Sequence, residues 1–393
     1  MKKTVILFIS ALIWHWCAVP LGAQQRGRPQ TLRVPSDRFP TIQSAINFAA
    51  AGDRILIAPG VYNETLTIAK RITLSGSGAR GERRTEIVGP RPTEVVPLDR
   101  AGIINYQPDG GGKIESLLIR GGDAGIKGEA IRERFPAALE VKQVIISQGG
   151  RGIAGSFSDL TVEDTTVTDM LWHGVSIVRA KGKVMFAESA VELCLGIGCY
   201  INNTEAGPGE ISLLNDVFGL NSGGGILISG NAKSVLVTKC FLSNNRDAGI
   251  RLKNVGLAAL CHNLVNFTQP RLLDGKFGDG IVAECSENVI ICQDDQNLAL
   301  NVLPPAIADN ARAGVSNFSS HVSVTNVISA CNLFNIAGEN IGVSVCPAIS
   351  QFTYDDGGGN QCFGSPNSGD PCQLIVCQIT SPGLEPPEPP PTQ

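Results

Sequence analysis

The residues best suited to chemistry cluster in Met170-Leu-Trp-His-Gly-Val-Ser-Ile177, with Arg151 some twenty positions upstream. His173 is a proton carrier for near-neutral pH. Arg151 offers a fork that holds a carboxylate, and Trp172 offers a flat apolar face for a sugar ring. Asp169 stands close by in sequence and Arg251 further along. If these residues meet, His173, Arg151 and Asp169 form a catalytic group, with Trp172 and Arg251 binding substrate. The alternative is a solvated corner of the chain with no chemistry. Asp164 and Glu188 make a second, acidic candidate. At a separation of about 5–5.5 Å they match a retaining glycosidase pair, and they equally suit Ca²⁺. Lys142 favours a third reading, a charge ladder that only helps stacking.

Other signals are weaker. Gly76-Ser-Gly-Ala-Arg-Gly81 spells a dinucleotide fingerprint, but another strand pattern follows it where a helix would be needed, so it reads as a turn. His173, His262 and His321 are the histidines beyond the leader, and no tight Cys/His spacing accompanies them, Cys261-His262 included. Zinc is therefore not expected. No cofactor is assigned; Ca²⁺ is the one considered, without a motif for it.

Residues so far apart meet only if the chain stacks regular units. Four copies of one pattern run from Val162 to Leu252, each with Gly nine positions after a small polar residue: Thr165 to Gly174, Ser189 to Gly198, Asp216 to Gly225, Cys240 to Gly249. Ser116 to Gly125 and Gln143 to Gly152 share the offset. The series Gly102, Gly125, Gly152, Gly174, Gly198, Gly225 and Gly249 advances by roughly two dozen positions at each step, and looser steps lead to Gly280 and Gly314. Such a period signals a solenoid, and short β-branched runs with period-2 alternation make its units strands. Leu118, Ile145, Val167, Val191, Phe218 and Leu242 should point inward. So should Ile126, Ile153, Val175, Cys199, Ile226 and Ile250, each large side chain contributing about 1.5–3 kcal/mol. The expected fold is all-β, a single-stranded right-handed parallel β-helix. Pro40 to Ala51, with Ile42, Ala45, Ile46 and Ala49 on one face and Gly52 as the stop, supplies a short N-terminal capping helix.

Over residues 34–345 the pattern resembles the pectin-lyase-like group of right-handed β-helix proteins. The entry segments Thr41-Ile-Gln-Ser-Ala-Ile46, Gly52 to Tyr62 and Ile72-Thr-Leu-Ser-Gly76 are similar to those that open many of its members. Right-handed coiling follows from the resemblance and from the hand of parallel crossovers. Met170–Ile177 also resembles the histidine-glycine motif of polygalacturonases, and Arg251-Leu-Lys253 their later basic motif. The departures are plain. No Asn-Thr-Asp precedes His173, and the pairs Asp294-Asp295 and Asp355-Asp356 follow it. Neither the pectinesterase motifs nor the Asp-Pro-His-Asp of alginate epimerases occurs. The resemblance implies the fold and an extracellular polysaccharide as partner, with lyase-like or hydrolase-like chemistry if catalytic. The other class of function is a non-catalytic cell-surface or interaction solenoid that docks a partner on its long face.

Residues 1–23, with Lys2 and Lys3 ahead of an apolar run and Gly22-Ala23 at its end, read as a secretory signal peptide too short to span a membrane. The product would be secreted, extracellular or periplasmic. Without that leader thirty basic residues face 36 acidic ones, a net charge of −6 that argues against a nucleic-acid partner. Eleven cysteines remain, so one at least lacks a partner within the chain. The expected organisation is the capped β-helix at 24–345, a Cys-rich C-terminal cap at 346–377 and a Pro-rich disordered tail at 378–393. Insertions at Asn266 to Asp279 and Val302 to Ala313 should gather beside the coils and shape a cleft. Oligomeric state is not legible.

Overall fold

In the computed structural model, residues 28–92, 102–131, 134–136, 138–202, 209–230, 232–293, 306–363, 374–375, 379–386 and 388 are described. The proposed leader and Asp294-Asp295 lie outside them. Three short strands make a typical coil, the first two running on as one in Gly111–Arg120 and Leu139–Ser147. Lys183–Ala187, Ala190–Glu192 and Cys199–Asn202 form one coil, and Glu210–Leu214, Val217–Gly219 and Ile226–Ser229 stack on them in parallel. The third strands build a 12-stranded sheet from Leu66–Ile68 to Ile379–Thr380. The first two of each coil build a larger sheet folded along a bend, and among the described strands only Gln361–Phe363 with Leu374–Ile375 pair antiparallel. This is the right-handed parallel β-helix expected.

The helix is shorter than the apolar face suggested. Thr41 caps Ile42–Phe48 through a reciprocal bond with Ser44. The Glu64 carboxylate accepts the Ile42 and Gln43 amides, both at 3.0 Å. Ile42, Ala45 and Ile46 bury against the first coil.

The bend inside each coil explains the small polar series. Asp164, Glu188, Asn215, Lys239 and His262 adopt left-handed φ between 45° and 61°, stacked coil on coil. The buried residue after each bend satisfies its neighbour's backbone. Ser189 N–H donates to Asp216 Oδ1 at 2.8 Å, and Cys240 N–H donates to Asn263 Oδ1 at 3.0 Å. In the two earlier copies the register is one residue off. Ser116 (φ 56°) and Gln143 (φ 54°) occupy the bend itself, so Ile119 and Ile146 are buried while Leu118 and Ile145 are half-exposed. The reason lies downstream: from the next left-handed corner, Gln148 reaches Gly152 in four steps, whereas Asp169 reaches Gly174 in five.

At the repeated glycines a Cβ would meet both core and neighbouring backbone. On Gly174 it would lie 2.2 Å from Val191 Cγ1 and 2.8 Å from the Gly198 carbonyl. Next to this series, Ile126, Ile153, Val175, Cys199, Ile226 and Ile250 stack as one buried ladder. Cys194, Cys199 and Cys240 are free and buried, whereas Cys261–Cys292 and Cys285–Cys346 are disulfides, and Cys331 and Cys362 are also disulfide-bonded. Among the described residues no helix is long and apolar enough to cross a membrane.

Candidate functional site

The site grows from one register position, two residues before the repeated glycine. There Gly196 N–H bonds the Trp172 carbonyl, Gly223 N–H the Gly196 carbonyl, and Gly278 N–H the Asp247 carbonyl, each at 2.9 Å. Trp172, Gly196, Gly223 and Asp247 thus occupy successive coils. With about 4.8 Å per coil, Trp172 and Asp247 stand ~14 Å apart. Between them Gly196 and Gly223 present no side chain. That gap is a cavity of about 180 Å³, lined by Trp172 and His173 at one end and by Asp247, Arg251 and Arg271 at the other. Its floor tolerates nothing larger than glycine: a Cβ on Gly196 would come within 2.6 Å of His173 Nδ1, and one on Gly223 within 2.8 Å of the Gly196 carbonyl carbon.

His173 is 2% exposed, and its Nδ1 accepts the Ile197 amide at 2.9 Å, which leaves the proton of the neutral ring on Nε2. Burial, with the charge of Arg151, pushes its pKa down to about 3. The ring is therefore neutral at pH 7 and serves as a donor. Trp172 lies 4.9 Å from it and Tyr200 5.3 Å, centroid to centroid. Asp247 faces the opposite constraint. Burial lifts its carboxyl to about 6, against the pull of Arg251, Arg271 and Arg312 and with the push of Asp279. Among the described residues, no hydrogen-bond partner reaches the buried Trp172 Nε1, His173 Nε2 or Asp247 Oδ1 of the cavity lining.

The cations are held in place by acids. Arg251, 3% exposed, pairs with the buried Glu284 at 2.8 Å, and Lys253 bonds the other oxygen of that carboxylate. Arg312 clamps Asp279 through two nitrogens. Arg271 comes from the Asn266 to Asp279 insertion and pairs with Asp274.

Of the residues singled out in the sequence, Arg151, Trp172 and His173 come together. Arg151 is buried, which lowers its pKa, and Asp123 offsets part of that. Arg251 joins the far end of the same cavity. Asp169 stands exposed at a left-handed corner (φ 56°) and does not line the cavity. Asp164 and Glu188 are exposed bend residues on adjacent coils, apart from the cavity. Lys142 pairs with Glu163 at 2.8 Å, because its ladder partner is Glu163 and not Asp164. Among the described residues no group of three His, Cys, Asp or Glu is arranged to hold a metal. Asp355 and Asp356 lie on the exposed strand Thr353–Asp356. Asp247 and Arg271 escaped the sequence reading, although Asp247 shares the register that links Gly150 with Trp172.

The comparisons with known proteins agree on the architecture. A family model described as right handed beta helix region matches residues 151–297. Among solved structures, the A-module of mannuronan C-5 epimerase AlgE4 from Azotobacter vinelandii superposes with a TM-score of 0.61 at 16% identity, covering 87% of this chain and 95% of that one. The AlgE6 A-module from the same organism gives 0.60 at 15% identity, with coverages of 88% and 95%. No curated protein matches by sequence. The chain is a right-handed parallel β-helix repeat protein with the pectin-lyase-like fold.

Proposed function

We propose that this protein binds an acidic polysaccharide along the outer face of the 12-stranded sheet and modifies it at a uronate unit. One observation carries the reading: in a glycine-floored cavity beside Arg251 and Arg271, the buried groups Trp172 Nε1, His173 Nε2 and Asp247 Oδ1 lack partners among the described residues. In this arrangement the guanidinium of Arg271, with the charge of Arg251, steadies a sugar carboxylate. Asp247 takes the proton on the carbon next to it, and neutral His173 donates a hydrogen bond to the sugar. If the neighbouring glycosidic oxygen then leaves with the electron pair of its C–O bond and takes up the proton that Asp247 removed, the outcome is that of a lyase; if water instead protonates the same carbon from the other face, the outcome is epimerisation. The latter is the activity in the names of the two A-modules, and the fold is compatible with it. Hydrolysis is less well supported, because among the described residues Asp247 is the one carboxylate that the coils contribute to the cavity lining. The disulfides Cys261–Cys292 and Cys285–Cys346 support a working place outside the cytoplasm.

The non-catalytic solenoid keeps one observation in its favour: Arg251 is already neutralised by Glu284. Incubation with alginate, polygalacturonate and a neutral glucan separates the readings. The expected result is new ultraviolet absorbance of unsaturated ends, or changed anomeric proton signals, with an acidic polymer alone. Asp247→Asn should slow that turnover by about 10²-fold or more. Unchanged turnover in Asp247→Asn, or turnover of the glucan alone, overturns the proposal.

A further inference from the structure

The C-terminal tail does not leave the body over its described residues. Ile379–Thr380 adds a parallel strand beside Ile336–Ala337. The Glu339 carboxylate then accepts from Ser381 Oγ at 3.0 Å, from the Gly383 amide and from the Leu384 amide at 3.1 Å. Leu384 packs against the cluster of Ala248, Val282 and Phe318. From there the chain runs back over the coils towards the cavity. Arg312 Nη1 donates to the Glu385 carbonyl at 3.0 Å, and Lys276 pairs with the Glu385 carboxylate at 3.2 Å. Arg251 Nη1 donates to the Glu388 carbonyl at 2.7 Å, and Arg271 pairs with the Glu388 carboxylate at 3.0 Å. Glu388 itself lines the cavity.

We infer that this tail is an acidic strap lying in the binding groove, in which the Glu388 carboxylate stands in for the carboxylate of a uronate unit at Arg271 and the Glu385 carboxylate for another at Lys276. The inference rests on the reading of the cavity as a glycan site and names the ligand feature that the groove selects, a row of carboxylates. The chemistry is matched to displacement. The Glu385 and Glu388 side chains remain largely exposed, and exposed ion pairs hold weakly. A polymer carrying many carboxylates competes with two tethered ones once its local concentration exceeds that of the tail. Strap and polymer share the same cations, so only one occupies them at a time.

The test compares three chains: the full one, one ending at Pro382, and the full chain carrying Glu385→Gln with Glu388→Gln, which keeps Leu384 on its apolar seat. Binding of alginate oligomers, of polygalacturonate oligomers and of a neutral glucan is measured by calorimetry. The shortened and the doubly substituted chains should each bind acidic oligomers about tenfold more tightly than the full chain, with the glucan unaffected. A peptide of residues 382–393 should compete with the oligomer on the shortened chain. Equal affinity for acidic oligomers in all three chains overturns the strap while leaving the glycan site standing. A shortened chain that binds no acidic oligomer overturns both.

Discussion

Asp247 and His173 illustrate how one cavity sets two side chains to opposite tasks. Burial destabilises the charged form of each, which raises an acid and lowers a base. His173 therefore stays neutral across the useful pH range, and Asp247 reaches its basic form only above about 6. Turnover should climb with pH through about 6 and show no limb from His173. A pH–rate profile of kcat/KM checks this, and an acid limb near 4 would exclude Asp247 as the base. The same carboxyl has a stability consequence. Its folded pKa lies above the unfolded value of about 3.9, so the fold binds its proton more tightly and loses stability as pH rises from about 4 to about 6. Above that window the cost is full, about 2–3 kcal/mol. Asp247→Asn should accordingly unfold at a higher temperature than the unsubstituted chain at pH 8 and at nearly the same temperature at pH 4. An equal gap at both values would show that the carboxyl is not perturbed in this way.

At the scale of the coil, stability is distributed over ladders in which each turn satisfies the next. Asn221 Oδ1 accepts the buried Cys194 amide at 3.1 Å, and Asn221 Nδ2 reaches Asn245 Oδ1 at 3.0 Å. Asn221→Ala strands a buried donor and should cost about 1–3 kcal/mol in denaturant unfolding. Gly174→Ala forces a methyl to within 2.2 Å of Val191. That overpacking should cost about 1–3 kcal/mol in the same measurement. Gly196→Ala presses on His173, so reduced glycan affinity is expected in addition to lost stability. The coil period and the Gly series were legible in the sequence because every copy must meet the same steric demand. The register of the Ser116 and Gln143 copies was not, since the polar bend residue and the small residue after it look alike in type and differ only in backbone hand. Arg151, Trp172 and His173 could be grouped by counting residues to the repeated Gly. Carrying that count through Gly196 and Gly223 to Asp247 would have revealed the far end. Arg271 escaped because it sits on an insertion, where no period applies.

For the whole molecule, the long outer face of the 12-stranded sheet is what a polymer needs, and in the proposal above the tail occupies that face as an acidic chain would. Pro382 to Gln393 reads in sequence as a solvated end. Nothing local distinguishes an acidic Pro-rich tail that floats from one that lies in a groove, because its partners, Lys276, Arg271 and Arg312, come from elsewhere in the chain. The chain contains Trp14, Trp16 and Trp172, so a protein beginning at Gln24 carries Trp172 as its single tryptophan, set in the cavity wall. Its fluorescence tests the central claim most directly. Titration of that protein, ended at Pro382, with acidic oligosaccharide should change the Trp172 emission saturably, and Arg271→Ala should weaken the midpoint severalfold while neutral oligosaccharide leaves the signal flat. Calorimetric binding of the acidic oligosaccharide with no change in Trp172 emission would place the ligand elsewhere and contradict the account.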